Sequence, residues 1–295
     1  MTAHTTIATS VVLAIILSAC ASHPVPPQPA PTLAEILNSS VSGLFEQPIT
    51  LRDGRWEGEP YAPGGASRPR AGVAGDLLPR GDLDGDGNED AVAFLWSATG
   101  GSGTLNYLAV FTRNPRGVQN TATVLLGDRV QLRAARIVDG RIEVDVVQHG
   151  PNDAACCPGE NATRSWMVTG DQLIEQEAQI GDRLSVADLE GTEWRLKGDE
   201  VVTLTVAEGR VAGWAHCNNY FGSITDGDTP GVITIGPLAS TRKACVDETL
   251  MGQEQAYLQT LSGVTHFGFV TGTLALTSRA DGDVKSLIFE PVGQE

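Results

Sequence analysis

The sequence predicts a mostly β fold of the α+β class, arranged as two β-rich domains. Its 295 residues are enough for two domains of ordinary size, each with its own core. The apolar runs are short and are separated by turn signals rich in glycine, of which the chain has 34. A single long helical pattern lies near residue 250, and most other apolar segments have strand length.

Residues 1–20 have the pattern of a lipoprotein signal peptide. Their apolar run, residues 7–19, is too short to cross a bilayer but has the length of a signal-peptide apolar region. It ends at Leu17-Ser18-Ala19-Cys20, which resembles the bacterial lipobox, so Cys20 is the candidate lipid attachment site. The preceding MTAHTT contains no Lys or Arg, and a non-lipidated secretion signal with an incidental Cys20 is the alternative.

Residues 21–34 form a tether rich in proline and alanine, of the kind that holds a domain away from a membrane. Ala21, rather than an aspartate, follows Cys20. By resemblance to Gram-negative sorting signals, this residue implies a bacterial outer-membrane protein that is lipid-anchored and faces the periplasm.

The first domain is expected over residues 35–185. Near its start, residues 33–45 have apolar side chains near helical spacing and predict a short amphipathic helix. The rest is predicted to be all β, because every later apolar run has strand length. Asp139-Gly140 lies between two alternating runs and predicts a tight hairpin turn.

The second domain is expected over residues 186–295. Residues 201–215 predict a hairpin about Glu208-Gly209, and three further strands are predicted at 231–239, 272–278 and 285–291. A helix is predicted over 247–261, with Asp247 as its N-cap. Its expected apolar face comprises Leu250, Met251, Tyr257, Leu258 and Leu261.

An aspartate-rich loop is the most specific chemical motif in the chain. It places oxygen-bearing side chains at alternate positions of a nine-residue run, with Gly87 at position 6; the candidate metal ligands are Asp82, Asp84, Asp86, Asn88 and Asp90. Hard cations prefer such oxygen ligands, and the run resembles the D-x-D-x-D-G-x-x-D calcium loops. Ala93 stands where an EF-hand has glutamate, so a structural Ca²⁺ site of another type is expected, with a solvated acidic turn as the alternative.

Four cysteines follow the lipobox in a chain that is predicted to be exported, where disulfides persist. They are Cys156, Cys157, Cys217 and Cys245, and counting alone allows three pairings. For the adjacent pair, a vicinal disulfide that stiffens its Gly/Pro-rich loop is favoured over a soft-metal site with His149.

Ordered blocks in the second domain resemble the META/HslJ family. The blocks are LEGTEWRL (189–196), CNNYFG (217–222), GPLASTRKAC (236–245) and the segment Glu254 to Gly263. The resemblance covers about residues 186–292 and implies an antiparallel sheet or partial barrel with one helix. It also implies a bridge between Cys217 and Cys245. The first domain looks like an uncharacterised β-rich N-terminal region of some META lipoproteins.

Individual residues within these blocks are interpreted as structural. Trp194 is expected to anchor the core, and Asn218 and Gly222 are expected to form a turn.

The net charge of 20 − 36 = −16 argues against a nucleic-acid partner, since phosphate binding needs a basic surface. No G-x-S-x-G or H-E-x-x-H motif occurs, and neither catalytic residues nor an organic cofactor are predicted. The resemblance implies a non-enzymatic envelope lipoprotein that serves as a binding or stress-tolerance module for an unknown envelope protein or small ligand.

Two alternative functions remain at this point. One is an inhibitor or assembly-partner lipoprotein, similar to lysozyme inhibitors or secretin pilots. The other is a hydrolytic or redox enzyme with an unrecognised site, for which His216 beside Cys217 is the best candidate pair unless a disulfide removes the thiolate.

Overall fold

The computed structural model describes residues 28–101, 103–243, 245, 247–280 and 283–293. The predicted signal peptide, Cys20 and residues 21–27 of the tether lie outside the described residues. Among the residues described, no helix is both long and apolar enough to span a membrane.

The described chain is mostly β, which confirms the predicted fold class. It contains helices α1 (Leu33–Ile36) and α2 (Glu248–Ser262) and a 3-10 helix at Val186–Leu189. The first thirteen strands are β1 (Ser40–Val41), β2 (Ile49–Thr50), β3 (Arg55–Glu57), β4 (Arg70–Val73), β5 (Arg80–Gly81), β6 (Asp90–Ala98), β7 (Leu105–Asn114), β8 (Gly117–Asp128), β9 (Gln131–Val138), β10 (Arg141–Gln148), β11 (Glu160–Thr169), β12 (Gln172–Glu175) and β13 (Gln179–Arg183). The remaining nine are β14 (Glu193–Leu196), β15 (Thr203–Ala207), β16 (Arg210–Ala215), β17 (Asn218–Asp226), β18 (Ile233–Ile235), β19 (Ala239–Ser240), β20 (Val264–Val270), β21 (Thr273–Ala280) and β22 (Asp283–Pro291).

Two large antiparallel sheets and the two-stranded sheet β1-β2 form the N-terminal half. Sheet I has the order β3-β4-β6-β7-β8, with β5 paired to β6. Sheet II has the order β12-β11-β10-β9, with β13 paired to β11. Their inner faces contribute to one buried cluster, in which Phe94 and Leu108 of sheet I meet Ile142, Val144 and Trp166 of sheet II. The two sheets therefore form a sandwich.

Strand β6 is buried on both faces, which explains its continuous apolar run AVAFL. Val92 and Phe94 point into the sandwich, whereas Ala91, Ala93 and Leu95 belong to a second cluster on the outer face of sheet I. Side chains of the segment from α1 to β2 cover this outer face.

The predicted helix over 33–45 is mostly wrong, because α1 ends at Ile36. Thr32 and Glu35 cap its first turn reciprocally. Ser40 and Val41 then pair with Thr50 and Ile49, and this pairing takes the chain away from the helix.

The C-terminal half forms a nine-stranded antiparallel sheet that is nearly closed into a barrel. Its order is β18-β17-β16-β15-β14-β22-β21-β20, with β19 paired to β17. The two end strands approach each other, because the Phe267 N–H donates to the carbonyl of Gly231 at 2.8 Å and Val232 bridges His266. Trp194 is 5% exposed inside this barrel, which confirms its role as a core residue.

Helix α2 begins after its N-cap Asp247, as predicted, but its buried face differs from the prediction. Tyr257 and Leu261 are buried, whereas Leu250 and Met251 are exposed. The third buried position is Glu254, because its carboxylate is paired with donors beneath the helix. A charged residue therefore occupies the place that apolar spacing assigned to leucine and methionine.

Both predicted hairpin turns are confirmed. Asp139-Gly140 joins β9 to β10 and Glu208-Gly209 joins β15 to β16, with positive φ at all four residues.

The turn predicted at Asn218 and Gly222 is wrong, because both residues lie in β17. The change of direction comes two residues earlier, at His216, whose φ is +62°. Strand β20 was not predicted; its bulge between Val264 and His266 interrupts the alternation that identifies strands.

Candidate functional site

The aspartate loop gathers three of its five predicted ligands. Carboxylate oxygens of Asp82, Asp84 and Asp86 lie within 4.8 Å of one another, on an exposed turn with positive φ at Gly85 and Gly87. Both oxygens of Asp82 also accept backbone N–H groups, from Gly85 at 2.7 Å and from Gly87 at 3.0 Å. These three aspartates are the residues that could hold a hard cation.

The other two predicted ligands, Asp90 and Asn88, make different contacts. Asp90 is 3% exposed and accepts the N–H of Leu83 at 3.0 Å. Burial, with smaller contributions from the neighbouring charges of Asp84 and Asp86, raises the pKa of Asp90 from 3.8 to about 6. Asn88 donates to Asp86 at 2.9 Å, while its Oδ1 accepts the N–H of Gln28.

The vicinal cysteines lie in an exposed loop that one buried carboxylate holds in shape. Cys156 and Cys157 are bonded to each other, with Cα atoms 3.8 Å apart. Asp153 accepts the N–H groups of Gly150 and Gly159, each at 2.8 Å, and pairs with the Arg183 guanidinium. Because both sulfurs are bonded, the predicted alternative of a soft-metal site with His149 has no thiolate ligand in this state.

The second disulfide joins Cys217 to Cys245 and sits above a buried polar network. Glu254 accepts the N–H of Cys217 at 3.2 Å and the side-chain amide of Asn218 at 3.0 Å. The side-chain oxygen of Asn218, Oδ1, in turn accepts hydrogen bonds from the hydroxyl of Thr241 and from the N–H of Lys243, each at 2.8 Å. The network therefore fixes the cysteine turn, the segment before Cys245 and helix α2 to one another.

The pair named as the best catalytic candidate is not assembled for catalysis. His216 faces Asp199, with Nε2 3.2 Å from a carboxylate oxygen. Cys217 is engaged in its disulfide and offers no thiolate.

A cleft that the sequence did not predict lies where the outer face of sheet II meets the barrel. It has a volume of about 480 Å³. Asp145, Thr163 and Gln179 line it from sheet II, and Trp194 and Phe269 line it from the barrel. We call it the Arg133 cleft, after the side chain that joins its two walls.

A β-bulge places Arg133 in this cleft. Asp145 pairs with Ala134 and the next residue of β10 pairs with Leu132, so Arg133 is the extra residue of β9 and has no pairing partner in β10. The guanidinium donates to Asp188 at 2.8 Å and lies 4.9 Å from the ring centre of Phe269.

Asp188 is itself held from three sides. It accepts the side-chain amide of Asn161 at 2.9 Å and the backbone N–H of Ser185 at 2.9 Å, besides the Arg133 guanidinium. The charge pair is thus rigid and largely buried, since the Asp188 side chain is 15% exposed.

One donor in the cleft wall has no protein partner. The indole Nε1 of Trp194 is buried and makes no hydrogen bond to any of the residues described. A buried donor without a partner costs about 1–3 kcal/mol, so such a group calls for an acceptor from water or from a ligand.

Sequence reasoning missed the cleft because its walls come from positions that are distant along the chain. Arg133 lies in an ordinary strand pattern, and only the pairing of β9 with β10 reveals the extra residue. The LEGTEWRL block did single out Trp194, but as a core residue alone.

Comparison with known proteins bears on the second half of the chain. Residues 180–289 match the META domain family model. The resemblance that the cysteine, glycine and tryptophan blocks indicated is therefore confirmed for this segment, which starts six residues before the expected boundary. A META domain suggests an envelope-type module.

An NMR structure of a protein from Burkholderia xenovorans is also similar to the chain. The match covers 40% of this chain and 96% of that protein, at 23% identity and a TM-score of 0.29. No curated protein matches the chain.

Proposed function

We propose that the protein is a non-enzymatic, lipid-anchored module of the bacterial envelope that faces the periplasm and binds a small polar ligand in the Arg133 cleft. The observation that carries this proposal is the cleft itself, which is walled by both halves of the chain and lined by Trp194, whose indole N–H has no partner among the residues described. Ligand sites are commonly concave, occur between domains and present a few convergent polar groups.

The chemistry of the cleft favours binding over catalysis. Its strongest charges, Arg133 and Asp188, neutralise each other, and Asp145 is paired with Arg136 at 2.8 Å and with the Thr163 hydroxyl at 2.6 Å. Groups held in this way have a fixed geometry and can position a polar ligand.

The test uses the full chain and a panel of defined envelope molecules: N-acetylglucosamine, muramyl tripeptide, D-alanyl-D-alanine and glycerol phosphate. Ligand-observed NMR measures binding to the parent, to Trp194→Phe and to a matched control, Trp214→Phe. We expect at least one molecule to bind, with at least fivefold weaker affinity in Trp194→Phe and unchanged affinity in the control.

Other results of this test would contradict the proposal. Absence of binding, or equal effects of the two substitutions, would remove the cleft as the ligand site. Chemical conversion of a panel member during incubation would support the enzyme alternative instead.

The assembly-partner alternative has its own supporting feature. Register places Val138, Met167 and Ile174 in one row on the outer face of sheet II, and each is more than 40% exposed. A stable protein interface buries about 800 Å² on each partner, which three side chains do not supply. Small-ligand binding is therefore preferred.

A further inference from the structure

A second cleft extends from edge strand β3 of sheet I to the barrel. Cross-strand pairing aligns Arg55, Gly72, Trp96 and Asn106 in one row across β3, β4, β6 and β7. Alternate side chains of a strand point to the same face, and Trp96 is two residues after Phe94 and four after Val92. This row therefore belongs to the inner face of sheet I. It extends the inner face with an indole and an amide in place of aliphatic side chains.

The far wall of this groove comes from the barrel. A cavity of about 460 Å³ is lined by Trp96, Asn106 and Leu132 on one side and by Phe269 and Thr271 on the other. A neighbouring cavity of about 400 Å³ shares Trp96 and extends to Arg55 at the edge strand. We call the two together the Trp96 groove.

The indole of Trp96 lies close against the backbone of the neighbouring strand. A Cβ atom at Gly72 would be 3.0 Å from Trp96 Nε1 and 2.7 Å from the carbonyl oxygen of Gly54. Glycine at position 72 therefore provides the space that the ring occupies. The side chain remains partly exposed, so part of its surface is open to the groove.

A second, independent feature points to a ligand. The amide oxygen of Asn106 is buried and accepts no hydrogen bond from any described residue. A buried acceptor without a donor is unfavourable, so a hydroxyl or N–H group that reached it would be bound favourably.

The charge of the groove is opposite to that of the molecule. In a chain with 36 acidic and 20 basic residues, the groove is lined by three arginines: Arg55, Arg70 and Arg129. Its one carboxylate, Glu57, is already paired with Arg70 at 3.0 Å and with Arg68 at 2.7 Å. Arg129 is likewise paired, with Asp128, so Arg55 is the one arginine of the three without an ion pair among the described residues and the one that an acidic group on the ligand would meet.

We propose that the Trp96 groove binds an acidic saccharide. The C–H face of a sugar ring packs on the negative face of an indole, and a sugar hydroxyl or acetamido N–H supplies the donor that Asn106 lacks. A carboxylate or phosphate on the sugar then lies toward Arg55, whose planar guanidinium suits either group. Phe269 is the one described residue that lines both this groove and the Arg133 cleft, and the proposal does not depend on the function proposed for that cleft.

Three probes test the proposal by isothermal titration with the full chain. They are chitotriose as the neutral sugar, N-acetylglucosaminyl-N-acetylmuramic acid as the carboxylate sugar, and N-acetylglucosamine 1-phosphate as the phosphate sugar. We expect at least one acidic probe to bind at least fivefold more tightly than chitotriose. The preferred acidic probe identifies which acid group the site selects.

Variants test whether the Trp96 groove is the site that binds the acidic probe. Trp96→Leu should weaken binding of the acidic probe at least tenfold, and the exposed Arg55→Gln should abolish the preference over chitotriose without affecting the fold. Trp214→Phe, a change at a partly exposed indole that lines neither cleft, should leave both affinities unchanged. The proposal is overturned if no acidic probe binds more tightly than chitotriose, if Arg55→Gln keeps the preference, or if Trp214→Phe removes binding while Trp96→Leu does not.

Discussion

At the scale of single residues, Asp153 controls the loop that carries the vicinal disulfide. Its side chain is 2% exposed, and it pairs with Arg183 and accepts two backbone N–H groups. The Arg183 guanidinium is the main reason that the pKa of Asp153 falls from 3.8 to about 2. The ionised carboxylate therefore stabilises the folded chain.

We predict that Asp153→Asn destabilises the protein at pH 7 by about 1–2 kcal/mol, since one pKa unit corresponds to 1.36 kcal/mol and Arg183 is half exposed. The folded pKa lies below the unfolded pKa, so the parent loses this contribution as pH falls from about 4 towards 2. Urea unfolding at pH 7, 4.5 and 3 measures the difference.

The difference in unfolding free energy between the parent and Asp153→Asn should be smaller at pH 3 than at pH 7. Asp171→Asn, at an exposed position, is the control and should track the parent at each pH. A gap that stays constant with pH would show that the ionised form of Asp153 makes no special contribution.

At the scale of elements, two glycines in the META domain give opposite predictions for the same change. Gly213 lies in β16, where an added Cβ would overlap the carbonyl oxygen of Thr203 and lie 2.7 Å from the Tyr220 hydroxyl. Gly252 lies in α2 with open space around its Cβ position.

Gly213→Ala should therefore destabilise the chain by more than about 2 kcal/mol, because β15 and β16 must separate. Gly252→Ala should stabilise it by roughly 0.5–1 kcal/mol, because alanine favours a helix. Thermal unfolding of both variants beside the parent checks the pair. A stabilising Gly213→Ala would contradict the close packing of these strands.

The aspartate loop gives a prediction for a short element. Asp82, Asp84 and Asp86 repel one another, and Ca²⁺ would relieve this repulsion. Extracellular sites of this type have dissociation constants of about 10⁻⁴–10⁻³ M. We therefore predict that 5 mM Ca²⁺ stabilises the full chain by about 1–2 kcal/mol.

Asp84→Asn combined with Asp86→Asn should remove this calcium effect, because asparagine keeps the turn acceptors but loses the charge. Asp171→Asn combined with Glu177→Gln is the matched control, since both positions are exposed and lie outside the loop. Melting in calcium and in chelator measures the shift. A shift that persists in the loop variant would assign it to general charge screening.

At the scale of the whole molecule, the described chain begins beside the aspartate loop. The N–H of Gln28 donates to Asn88 at 2.7 Å, and Arg113 donates to the carbonyl of Pro29 at 2.7 Å. The predicted lipid attachment at Cys20 would thus place this end of the first domain nearest the membrane.

Cys20→Ala should leave the exported protein soluble, whereas Ser22→Ala should remain with the membrane fraction. Fractionation of a bacterial expression host, with detection of the protein in each fraction, distinguishes the outcomes. Membrane partitioning of Cys20→Ala would refute the lipoprotein prediction.

Strand β9 makes several of the contacts between the two halves. Strand β9 contacts β20 through Gln131, whose side chain accepts the N–H of Phe269 at 2.8 Å, and through Arg133. Leu132 between them accepts the N–H of Gly272 at 2.9 Å. Both clefts flank this junction, so ligand binding at either one would depend on the contact between sheet II and the barrel.

The sequence by itself determined the local features of this protein. Apolar alternation and Asp-Gly or Glu-Gly pairs are sufficient for the hairpins, because turn geometry depends on neighbouring residues. The blocks around Trp194 and Cys217 identified the META domain. Asp247 located the start of α2, because capping is also a local interaction.

The tertiary structure alone decided which side chains meet. Spacing assigned Leu250 and Met251 to the buried face of α2, but donors from Cys217 and Asn218 placed Glu254 there. The bulge at Arg133 and the row containing Trp96 depend on strand register, which is set by pairing between distant segments. Both clefts arise from such long-range pairing, and no local pattern in the sequence encodes them.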